Sequence, residues 1–159
     1  MKILFQHIGI IHTPFKELEG MPIQPAGAAG VKGYVEVFEE FREGLKDLDG
    51  FSHIILLYLF HRSQTYKLQT RPFMDSEPRG VFATRAPNRP NPIGLSVVQL
   101  ERIEQSKLYI QNVDILDETP LLDIKPYVPE FDTYTDTKTG WLEKARKTVS
   151  RRRSDDRFK

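Results

Sequence analysis

Arginines, asparagines and prolines crowd one stretch of this chain, from Gly80 to Ser96, which reads GVFATRAPNRPNPIGLS. Pro87, Pro90 and Pro92 each fix their own φ at about −65° and bias the residue before them toward extended geometry. The stretch is therefore a stiff connector and cannot be helical. It presents Arg85, Asn88, Arg89 and Asn91 at set positions. Guanidinium and amide groups held this way suit a phosphate, a carboxylate or a base edge. The plainer use of such arginines is to cap the carbonyls of a rigid turn.

A second stretch, Asp114 to Tyr127, reads DILDETPLLDIKPY and interleaves carboxylates with apolar residues. A carboxylate is useful beside a sulfonium or an amine, and beside a proton that must leave. Asp123 and Lys125 lie two apart, on one face of a strand, where they can also simply pair with each other. The histidines are His7, His12, His53 and His61, without the close spacing of metal ligands, and the chain has no cysteine. Disulfides, thiolate zinc and cysteine nucleophiles are thereby excluded, and no metal site is expected. The segment Gly27 to Gly33 has the wrong spacing for a dinucleotide fingerprint, and neither a phosphate-binding loop with its lysine nor a nucleophile elbow is present.

These residues need elements to hold them. Ser52 to Phe60 is continuously apolar after His53, which predicts a strand buried on both faces, with His61 and Arg62 at its end. Phe5 to Thr13, Gly33 to Phe38, Gly80 to Thr84 and Leu121 to Pro126 also read as strands. Gly94 to Ile103 and Lys107 to Val113 read as a hairpin turning at Glu104 to Ser106. Phe41, Leu45 and Leu48 recur at helical spacing and predict a short helix over 39–48. His61 to Arg79 is long and irregular, a length that loops reach mainly when functional. Gly140 to Arg153 reads as a basic terminal helix. Strands dominate and follow one another too closely for crossover helices. The expected class is mainly β: a single-sheet barrel-like domain, antiparallel or mixed, over 1–132, with a basic extension over 133–159.

The chain has 159 residues, 39% hydrophobic and 28% charged, the balance of one soluble globular domain. No apolar run approaches the ~20 residues of a membrane helix, and the first residues do not form a signal peptide. A cytoplasmic setting without membrane contact is expected. Net charge is only +1, which excludes a generally basic nucleic-acid binder. Positive charge is nonetheless segregated, from Arg62 to Arg89 and again from Lys144 to Lys159, as a phosphate-holding surface would require.

The segment GVFATRAPNRPNPIGLSVV closely resembles the signature of the TsaA/TrmO-like family. DETPLLDIKPYVP, from Asp117 to Pro129, resembles that family's second signature, and IGIIHTPF and FSHIILLYLFHR match in order and spacing. The resemblance spans about Phe5 to Asp132. It implies a β-barrel that binds S-adenosylmethionine outside any Rossmann unit, works as a homodimer, and methylates N6 of threonylcarbamoyl-adenosine beside the tRNA anticodon. Matching positions would place cofactor contacts on Pro25, Ala26, Gly27, His61, Arg62, Arg85, Leu95, Asp117, Glu118, Thr119 and Pro120. Arg89 and Asn91 would hold the substrate, and Asp123 or Tyr127 would assist loss of the proton on the target nitrogen. Glu118 stands where the family usually has glycine. A non-catalytic cofactor-binding module and a methyltransferase of another substrate are the alternatives.

Overall fold

A computed structural model describes residues 1–23, 25–73 and 75–144. Six strands close into an antiparallel barrel: β1 (Gly9–His12), β2 (Lys32–Val37), β3 (His53–Leu59), β6 (Ile93–Glu104), β7 (Lys107–Gln111) and β8 (Thr119–Pro126). Their order around the barrel is β1-β2-β7-β6-β3-β8. β4 (Gln69–Thr70) and β5 (Arg79–Gly80) form a separate two-stranded sheet that closes off the second half of the long 61–79 loop.

The alternation of side chains along each strand builds the core. Ile54, Leu56 and Tyr58 of β3, Val98 and Leu100 of β6, Leu108 and Ile110 of β7, and Val35 and Val37 of β2 all point inward and are buried. The apolar run of β3 is not buried on both faces, as its lack of alternation suggested. Ile55, Leu57 and Leu59 face outward and are half-buried. In a closed barrel only the inner face is fully sealed.

A β-bulge decides which way the second half of β8 faces. Tyr58 pairs with Leu121, but Leu57 pairs with Asp123, so Leu122 is the extra residue. A bulge of this kind puts two residues opposite one and reverses the in–out alternation beyond it. Leu121 and Ile124 therefore serve the core, while Asp123 and Lys125 turn outward.

Other expectations need adjustment. The first strand begins at Gly9, not Phe5, and Ile3, Leu4 and Phe5 are exposed. The predicted helix over 39–48 is two 3-10 turns, Glu39–Leu45 and Leu48–Gly50, separated at Asp47, whose φ of 66° breaks the run. Phe41, Leu45 and Leu48 still pack on the barrel. Gly80 to Thr84 is mostly a 3-10 turn, Val81–Ala83. A further 3-10 turn, Pro25–Ala28, lies in the 20–33 loop. One helical turn, α1 (Pro129–Asp132), follows β8, and Gly140–Lys144 forms a last 3-10 turn. The remainder of the basic helix expected to Arg153 lies outside the described residues.

Candidate active site

Antiparallel pairing brings three strand ends together at one mouth of the barrel. Leu59, at the end of β3, pairs with Ile93 at the start of β6, and Tyr58 pairs with Leu121 near the start of β8. A cavity of about 880 Å³ opens there, within the ~300–1,000 Å³ of small-molecule sites. Three regions far apart in sequence wall it: the 60–63 exit from β3, the proline-rich 84–91 connector, and the 114–119 approach to β8. Thr139, Trp141 and Leu142 complete the wall. The Trp141 indole N–H donates to the Ala83 carbonyl at 2.8 Å, and the Arg79 guanidinium lies 5.9 Å from the Trp141 ring centroid.

Of the sequence-predicted residues, His61, Arg62, Arg85, Leu95, Thr119, Arg89 and Asn91 line this cavity. The half-exposed Leu95 and its neighbour Ile93 offer apolar surface. His61 Nδ1 is 3.3 Å from the Thr119 hydroxyl, which donates to the Leu116 carbonyl at 2.6 Å. Burial and the adjacent Arg62 hold the His61 imidazole below its ordinary pKa, so it is neutral at pH 7. Arg89 behaves partly as a turn-former: its Nη1 donates to the carbonyls of Thr84 at 3.0 Å and Ala86 at 3.3 Å. Asn88 is fixed by Ser63, whose hydroxyl donates to its Oδ1 at 2.8 Å.

Several others stand outside the lining. Asp117 turns its carboxylate away, accepting from the Thr13 amide at 2.9 Å and from Lys16. Burial opposes its charge, but the Lys16 and Thr13 bonds outweigh burial and hold its pKa below the usual carboxylate value. It thus pins the approach to β8 onto the end of β1. Glu118 has φ of 61°, the left-handed conformation that explains the family's glycine at this position. Pro120 sits within β8, opposite Ile10 of β1. Pro25, Ala26 and Gly27 form their turn just past Met21, Pro22 and Ile23, which do line the cavity.

Asp123 and Tyr127, the expected proton acceptors, are not brought to the cavity. The bulge at Leu122 turns Asp123 outward, where it pairs with Lys125 at 2.7 Å. The Tyr127 hydroxyl bonds to the Thr133 hydroxyl at 3.0 Å on the exposed surface. A different carboxylate reaches the cavity. Asp114 accepts a 2.6 Å hydrogen bond from the Ser96 hydroxyl, and Ser96 lies 2.9 Å from the Tyr58 hydroxyl. With the Ser96 proton directed at Asp114, Tyr58 is the donor to Ser96. Burial raises the Asp114 pKa to about 6, against the opposing effects of the Ser96 bond and of Arg85. Burial and the Asp114 charge raise that of Tyr58, keeping the phenol protonated. Tyr58 and Ser96 are 5% and 1% exposed. Gly94 permits the arrangement, because a Cβ there would overlap the Tyr58 ring.

An eclectic donor set results: one carboxylate, guanidinium and imidazole groups, and apolar walls around a single cavity. It fits a zwitterionic, cationic ligand with an aromatic base, which is the chemistry of S-adenosylmethionine. No group of three or more His, Asp or Glu side chains is placed to hold a metal among the described residues. No helix among them is long and apolar enough to cross a membrane.

Fold and site together define a closed six-stranded β-barrel with a small-molecule cavity at its mouth. The particular family follows from comparison. A model described as the tRNA-methyltransferase O N-terminal domain matches residues 10–133, and the chain belongs to this TrmO family of S-adenosylmethionine-dependent methyltransferases. A probable S-adenosyl-L-methionine-binding protein of Pyrococcus abyssi is 56% identical over 99% of this chain and 86% of its own length. The tRNA (adenine(37)-N6)-methyltransferase of Mus musculus is 36% identical over 82% of this chain but only 32% of its own length. A solved TrmO from Pseudomonas aeruginosa superposes with a TM-score of 0.75 at 40% identity, covering 89% of this chain and 63% of that one. The chain thus spans less than two-thirds of the solved TrmO and about a third of the mouse enzyme.

Proposed function

We propose that this chain transfers the methyl group of S-adenosylmethionine to N6 of a threonylcarbamoyl-adenosine beside the tRNA anticodon. The observation carrying the reading is the cavity at the barrel mouth, where Asp114, Arg85, Arg62 and His61 meet the apolar Ile93 and Leu95. Arg85 and Arg62 would hold the cofactor's carboxylate, and Leu95 would pack on its adenine. The turn at Pro25–Gly27 and the segment Asp117–Pro120, which leads into β8, would close round it. When bound, the cofactor supplies an electrophilic methyl group, and the chain has to align a nitrogen with it and remove that nitrogen's proton.

The tRNA reading is supported by the name of the mouse relative and by the rim. Phe82 is 74% exposed beside the cavity, and Tyr66 is exposed on the long loop. An unstacked loop base can stack on such rings. Arg89 and Asn91, which line the cavity, would meet its phosphate or carbamoyl group. The working unit is proposed to be a cytoplasmic homodimer, for which exposed Ile3, Leu4 and Phe5 offer apolar surface.

The test is calorimetric titration with S-adenosylmethionine, followed by labelled methyl transfer to tRNA with and without the threonylcarbamoyl group. Micromolar binding and transfer only to the modified tRNA are expected. Binding without any transfer to tRNA would favour a cofactor-sensing module or another substrate.

A further inference from the structure

We infer that Asp114 is the acceptor of the proton that leaves the methylated nitrogen, and that Tyr58 and Ser96 position it. The inference rests on the methyltransferase reading above. Asp114 lies outside the segments that match the family, whereas Tyr58 and Ser96 lie within them.

The geometry singles Asp114 out. Among the described cavity-lining residues it is the sole Asp or Glu. Its carboxylate is the terminus of a two-bond chain, Tyr58 to Ser96 at 2.9 Å and Ser96 to Asp114 at 2.6 Å. Both hydroxyls donate toward the carboxylate, so the chain holds its orientation without neutralising it. Gly94 and Ser96 share the inner face of β6, and the Tyr58 ring lies over Gly94. The strand register of β3 on β6 therefore fixes Tyr58 and Ser96, and the Ser96 bond reaches Asp114 in the loop after β7. The charged or titratable neighbours facing Asp114 are Arg85 on the connector and Tyr58 on β3.

The chemistry requires such a group. An N6 that carries a carbonyl is a poor nucleophile while it keeps its proton. As the nitrogen–carbon bond forms, the N–H proton passes to the Asp114 carboxylate, and the electrons of the broken sulfur–carbon bond remain on sulfur as a neutral thioether. One positive and one negative charge are consumed together, which a partly dehydrated cavity favours. A carboxyl titrating near 6 is largely ionised at neutral pH yet basic enough to take a proton, the match that general base catalysis rewards.

His61 is the competing base, since it also lines the cavity as a neutral imidazole. The Asp114→Asn variant separates the possibilities, with Ser96→Ala as the positioning test. Three readouts are needed: cofactor affinity by calorimetry, carboxyl titration by NMR on labelled aspartate, and the pH profile of transfer to threonylcarbamoylated tRNA. Asp114→Asn is expected to bind S-adenosylmethionine within about threefold of wild type and to lose about 10²–10⁴ in kcat. In wild type the Asp114 resonance should titrate near pH 6, and the activity profile should rise with the same midpoint. Ser96→Ala, which deletes a donor to the charged form, should move both midpoints upward together. A large loss of cofactor affinity in Asp114→Asn would make Asp114 a cofactor ligand and overturn the inference. An unchanged rate, or an acidic limb that persists in the variant, would overturn it in favour of His61. A wild-type protein that binds the cofactor but methylates no tRNA refutes the tRNA reading, and with it the assignment of Asp114 to that proton.

Discussion

Two residues carry conformational or electrostatic cost at the site, and each cost has a measurable sign. Glu118 sits at φ of 61°, where a side chain is strained by about 1 kcal/mol or more. Glu118→Gly should therefore raise stability by about 1 kcal/mol in urea unfolding, less whatever the glycine gains in the unfolded chain. Asp114 imposes the second cost. Its carboxyl titrates near 6 in the fold against an ordinary 3.8, so the folded state binds a proton more tightly than the unfolded one. Stability from this group is complete below about pH 4 and is lost as pH rises through 6, a loss on the order of 2–3 kcal/mol. Asp114→Asn should match wild type at pH 4 and exceed it by about 2 kcal/mol at pH 8. Equal stabilities at both pH values would show that the carboxylate is better solvated than its surroundings indicate. Chemistry at this residue is thus maintained at the expense of the fold, a pattern common where buried charge does work.

At the scale of elements, the site depends on strand register. The ring of Tyr58 occupies the space that a side chain at position 94 would need. Gly94→Ala should cost about 2 kcal/mol through overpacking and should detach Tyr58 from Ser96. In a Tyr58→Ala background the same substitution should cost little, and additive effects in that double-mutant cycle would disprove the steric account. Register also explains what could be read from the sequence. The proline-rich connector was legible, because prolines act locally. The hairpin of β6 and β7 was legible from alternation and its short turn. The chain of Tyr58, Ser96 and Asp114 was not. Its members are 38 and 18 residues apart; the pairing of β3 with β6 brings Tyr58 to Ser96, and the loop that follows β7, the other neighbour of β6, brings Asp114. The outward turn of Asp123 was not legible for a related reason: plain alternation would put it on the face of Leu121, and the single extra residue Leu122 puts it on the other. Helical spacing at Phe41, Leu45 and Leu48 correctly marked a core-facing side, but Asp47 shortens the element to 3-10 turns.

For the whole molecule, closure is the organising fact. Every strand of the barrel has two neighbours, so it exposes no edge for another chain to extend. Association between copies through the barrel would instead use side chains, and the exposed Ile3, Leu4 and Phe5 beside it offer such a surface. Closure also leaves the barrel mouth as the place where backbone loops converge, and the cavity is built from them instead of from the strands alone. The segment that completes its wall comes from the far end of the described chain. That segment brings the protein's one tryptophan, Trp141, into the cavity lining. The molecule thereby carries its own optical probe: an indole whose emission senses the polarity of the pocket, and which will report filling or emptying of that pocket without any added dye.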